Sequence, residues 1–173
     1  LDSCPLIMKN LVAFPLLALV FIIQTAIVSR IPLLSGTLDL PLLLLAAWAL
    51  QERVKAAWTW AIAAGLMASF FSALSPVAYF SGYIGVVILA RFIQRQVWQL
   101  PILAMFTVSF LGTLWMHAVS YLALRFFGSP ISLPDALSLI TLPTLFLNFL
   151  LAIPIHAWVR DLAVWVYPSE DLV

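Results

Sequence analysis

Charge is scarce in this sequence. Only 9% of the 173 residues are Asp, Glu, Lys or Arg, against 65% hydrophobic, and the formal net charge is +1. That balance excludes an ordinary soluble domain, where about a quarter of residues are charged. It also leaves no basic surface for nucleic acid. Cysteine is nearly absent: Cys4 stands alone, which excludes an internal disulfide framework and a cysteine metal cluster. The glycines are scattered, so no phosphate-cradling loop is formed. No serine shares a workable depth with a histidine and a carboxylate, and nucleophilic catalysis has no support. On these grounds the chain reads as a non-enzyme, with no catalytic residue, no metal set and no cofactor.

What the sequence does have is long uncharged apolar runs. Their lengths point to helices crossing a bilayer rather than to the strands of a barrel. Six spans are expected in one all-α transmembrane domain over residues 1–173, at about 11–28, 40–50, 56–74, 77–90, 97–124 and 139–158. Asp39 is placed to cap a helix starting at Leu40, with Pro41 in its first turn. The second span is short, since eleven residues rise only about 16 Å. Such a helix is packed inside protein, extended by an irregular entry, or set in thinned bilayer. The fourth span also reads as short, and short interrupted segments can mark a transport site. An outward pocket beside Ser75 to Ser81 is one reading; two helices shortened by close packing is the other. Ser132 and Asp135 form a helix-start pattern, expected to open a short helix lying on the membrane. Pro143 and Pro154 are expected to kink the last span near its start and its end.

The third span carries a face of small residues. At 100° per residue, Ala57, Ala61, Ala64, Ala68 and Ser72 line up with Gly65 at their edge, while Ile62, Leu66, Phe70, Met67 and Phe71 fall opposite. Small residues let backbones approach, and in lipid that close contact is what holds helices together. This face is expected to receive a partner's helix, and the third span to be the one its neighbours pack against. Lysine and arginine counts set the orientation. With the N-terminus cytoplasmic, Lys9, Arg53, Lys55, Arg91, Arg95 and Arg160 lie inside, and only Arg30 and Arg125 outside. Both termini are then cytoplasmic. Trp48, Trp58, Trp60, Trp98, Trp158 and Trp165 fall near the same boundary and are expected to anchor in the headgroups.

Ionisable groups mid-membrane would signal a pump or an enzyme, and the spans hold almost none. His117 and Asn148 are the strongly polar side chains deep inside, and Gln24 lies near the end of the first span. His117 reads as a neutral histidine bonded to a carbonyl or hydroxyl, or else as a proton relay or ligand contact. Asn148 either cross-links helices or lines a pocket. Gln24 is expected among headgroups, with a helix contact as the alternative. His117 and His156 make no metal pair, having no carboxylate beside them.

Leu142-Pro143-Thr144-Leu145-Phe146-Leu147-Asn148, followed by Leu151-Ala152-Ile153-Pro154, resembles the last helix of the rod shape-determining MreD proteins. Asp39-Leu40 and its leucine run resemble that family's second segment, Ala64-Gly65-Leu66 its third, and Leu111-Gly112-Thr113-Leu114 with His117 its fifth. The likeness covers most of the chain after Gly36. One feature departs: an acidic residue often found at the outer end of the third helix is missing from Ser69-Phe70-Phe71-Ser72. The resemblance implies a non-catalytic, multi-pass subunit of the bacterial plasma membrane, part of the elongation machinery that builds peptidoglycan. It implies binding to MreC, and through it to RodA, the elongation transpeptidase and MreB filaments. The family's bundle is similar to the substrate-binding subunits of energy-coupling-factor transporters, so a vitamin-like ligand is the alternative expectation.

Overall fold

The computed structural model describes residues 12–26, 36–72, 74–96 and 99–167. They form an all-helical bundle of six helices: α1 (Ala13–Ala26), α2 (Leu40–Ala49), α3 (Ala57–Phe71), α4 (Pro76–Gln96), α5 (Pro101–Phe126) and α6 (Leu133–Val166). The last three are long and apolar enough to cross a membrane; α1, α2 and α3 are shorter apolar helices. The architecture is thus that of a polytopic, membrane-type bundle.

The helix at its centre is α2. Pro41 sits in its first turn, where a missing N–H is harmless. Every residue from Pro41 to Ala49 is buried, and the helix packs against all five others. A helix that is apolar all round belongs in such a place. Its ten residues need not span lipid, because neighbouring protein covers both ends. The expectation that the third span would be the organising helix is corrected here. Five members of the small-residue face turn inward, Ala57, Ala61, Ala64, Gly65 and Ala68 being buried; Ser72 does not, because the helix ends at Phe71 and Ser72 is extended and exposed. Their partners are the chain's own α1, α2 and α4, with Phe80 lying directly over Gly65. Ile62, Leu66, Phe70 and Phe71 face outward as the helical wheel required.

The fourth span is not short. Helix α4 runs 21 residues through Arg91 and Arg95, which the sequence reading placed in a turn. Arg91 is stabilised there because its guanidinium donates to the Val54 carbonyl of the α2–α3 loop and to Gln94 Oε1 at 3.1 Å. Nor does a separate helix lie on the membrane near Ser132. Ser132 caps Asp135 as expected, but the chain continues without a break into α6 through a π-helical segment, Ala136–Thr141. Pro143 lies just beyond that widened turn and Pro154 lies inside α6, whose helical course continues through it.

Two of the tryptophans expected at the headgroups are core residues instead. Trp48 and Trp60 are fully buried and stacked, with ring centroids 4.2 Å apart, and Tyr167 tilts against Trp48 at 6.2 Å. Trp58, Trp158 and Trp165 do project from the surface. Trp98 lies outside the described residues.

Candidate functional site

At the opposite end of the bundle from the stacked tryptophans, the chain enters α2 as an irregular extended segment, Gly36 to Asp39. Such backbone cannot face lipid, because each unmatched N–H or C=O costs several kcal/mol there. Side chains match it on both edges. On one edge, Thr37 N–H donates to Thr144 Oγ1 at 3.2 Å and Asp39 N–H to Asn148 Oδ1 at 3.1 Å. On the other, Gln24 spans two residues as a neighbouring strand would. Its Nε2 donates to the Leu38 carbonyl at 2.6 Å, and its Oε1 accepts from Leu40 N–H at 3.1 Å. The alternation follows from the period-2 geometry of extended chain. Gly36 permits the approach: a Cβ there would come within 2.6 Å of the Thr144 backbone nitrogen.

Asn148 completes the seam from the far side. It is fully buried, and its Nδ2 donates to Thr113 Oγ1 at 2.8 Å, while Thr113 donates onward to the Ser109 carbonyl at 2.6 Å. Of the two roles open to Asn148, the structure shows the cross-link. Gln24 does the same from α1, which corrects its expected place among headgroups. His117 is bonded to a hydroxyl, Nδ1 to Thr141 Oγ1 at 2.9 Å. Since the single Thr141 proton is directed to the Ala136 carbonyl at 3.1 Å, the network assigns His117 Nδ1 as the donor and leaves Nε2 an acceptor.

Two cavities meet beside this seam, and Thr37, Asp39, Tyr79 and His117 line both. The smaller, about 320 Å³, lies between α1, α3 and α4, walled by Phe21, Phe71, Tyr79 and Tyr83. The larger, about 720 Å³, lies between α5 and the start of α6, with apolar walls and Arg125 among its lining residues. Asp39 Oδ1 accepts from Leu42 N–H at 3.1 Å, as a helix cap should. No cation pairs with Asp39 among the described residues, whose one ion pair is Arg160 with Asp161.

His156 stands away from this region, its Nδ1 buried without a partner among the described residues. Among those residues no group of three His, Cys, Asp or Glu side chains could hold a metal ion. Thr37, Tyr79 and Tyr83 carried no signal in the sequence, and Thr113 and Thr144 stood there only as members of the quoted motifs. A lone hydroxyl on an apolar helix carries no signal until its neighbours are known.

The fold and the site define a class, an all-helical polytopic bundle of membrane type. Beyond that class, no family model, no curated protein and no solved structure matches the chain.

Proposed function

We propose that this protein is a non-catalytic membrane scaffold of the bacterial elongation machinery, resembling MreD. On this reading it captures the transmembrane helix of MreC and links it to RodA, the elongation transpeptidase and MreB. The supporting observation is a convergence. Three of the four segments that carry the resemblance meet at one point, where Asp39 N–H, Asn148 and Thr113 form a continuous hydrogen-bonded chain. The polar residues that set these motifs apart therefore join α2, α5 and α6 to one another. On the same reading all six helices are embedded in the plasma membrane, with both termini cytoplasmic and a bundle similar to that of energy-coupling-factor binding subunits. The partner's helix would lie on an outward apolar face, because Ala57, Ala61, Ala64, Gly65 and Ala68 are already covered from within.

The two cavities favour a second reading, a small-molecule binding subunit of a transporter, with His117 among the pocket contacts. Affinity purification from native membranes separates the two. The scaffold reading expects a single-pass protein with an extracytoplasmic domain, accompanied by a polytopic wall synthase. Recovery with a membrane coupling subunit and ATPases instead would replace it with the transporter reading, and recovery of the chain alone would refute it.

A further inference from the structure

We propose that the smaller cavity is a binding site for a primary ammonium group, held by the Asp39 carboxylate between two aromatic pairs. The proposal stands apart from the scaffold and transporter readings. A carboxylate inside a membrane-type bundle is costly and is ordinarily matched by a cation or put to use. Asp39 has a backbone partner on Oδ1 and no cation among the described residues. Around it the cavity is walled by aromatic side chains. Phe21 stacks with Phe71 at 5.8 Å and Tyr79 with Tyr83 at 6.1 Å, and all four rings line the space. Aromatic faces attract cations through their quadrupole. Among the described residues no lysine or arginine lines this cavity to compete for the carboxylate, and no cluster suits a metal ion.

The remaining lining groups select among cations. Thr37, Ser72 and Tyr79, each carrying a hydroxyl, line the cavity, and Tyr79 donates its own proton to Ser72 Oγ, leaving its oxygen lone pairs to accept. A primary ammonium has three N–H donors to spend on a carboxylate and such oxygens, whereas a quaternary ammonium has none. The volume, about 320 Å³, falls at the small end of ligand pockets, which suits a short amine or an aminoethyl headgroup rather than a bulky ligand. The same chemistry is offered by a free alkylamine and by the headgroup of phosphatidylethanolamine.

The test uses the purified full chain. Titration calorimetry compares n-butylammonium with the isosteric neutral n-butanol, and native mass spectrometry from nanodiscs compares retained phosphatidylethanolamine with phosphatidylglycerol. Either an ammonium preference over butanol of about tenfold or more, or selective retention of phosphatidylethanolamine, is expected. That preference should be lost in Asp39→Asn, which keeps the capping oxygen and removes the charge. Preference for the lipid marks a headgroup as the source; binding of butylammonium without lipid preference marks a free amine. Tyr79→Leu, at a half-buried position, removes one aromatic face and should weaken binding severalfold, which keeps the test available if Asp39→Asn misfolds. Equal binding of butylammonium and butanol with no lipid preference overturns the proposal. So does an ammonium preference that survives Asp39→Asn, or displacement of butylammonium by an equal concentration of sodium chloride.

Discussion

Asp39 shows how much one side chain can be asked to do in an apolar chain. Its oxygen caps α2, its backbone N–H is held by Asn148, and its carboxylate borders two cavities. The cost is that of a charge with no cation beside it among the described residues. Asp39→Asn keeps the capping oxygen without this liability. Its melting temperature in detergent at neutral pH, with no amine present, should equal or exceed that of the unmodified protein. A melting temperature several degrees lower would show that the carboxylate itself stabilises the fold.

Whether a helix can be read correctly from sequence depended on what its residues reveal about direction. The face split of α3 was legible because Ala57, Ala61, Ala64 and Ala68 alternate with bulky residues at helical spacing. The occupant of that face was not, since a small-residue stripe fits the chain's own α4 as well as a foreign helix. The centrality of α2 was hidden for the opposite reason: a uniform run of leucine and alanine has no face to read. Its cap and its shortness were legible, through Asp39 and Pro41. The length of α4 was misjudged because Arg91 and Arg95 end an apolar run without ending a helix. Trp48 and Trp60 looked like boundary residues by position alone, and only the packing of α2 on α3 reveals them as a buried stack. Their burial predicts a fluorescence result. In bilayers with dibrominated acyl chains, Trp58→Phe or Trp165→Phe should lower the quenchable fraction of emission. Trp48→Phe or Trp60→Phe should raise it. The reverse pattern would place the stacked pair in contact with lipid.

At the scale of the whole molecule, the bundle separates two kinds of cohesion. One end is held by ring stacking among Trp48, Trp60 and Tyr167 and by Arg91 reaching the α2–α3 loop. The other is held by Gln24, Asn148, Thr113 and Thr144, which carry the hydrogen bonds that the irregular entry to α2 cannot make with itself. Polar residues in so apolar a chain are few, and most of those at this end are committed to the seam. The seam is the central claim, because it explains how a ten-residue helix can occupy the middle of a membrane-type bundle. Hydrogen–deuterium exchange of the protein in nanodiscs, resolved at single amides, tests it most directly. The amides of Thr37, Asp39 and Leu40 should exchange slowly, nearly as slowly as the interior of α2. In Asn148→Ala, the Asp39 amide should speed up first. Exchange of these amides at the rate of an open loop in the unmodified protein would contradict the account.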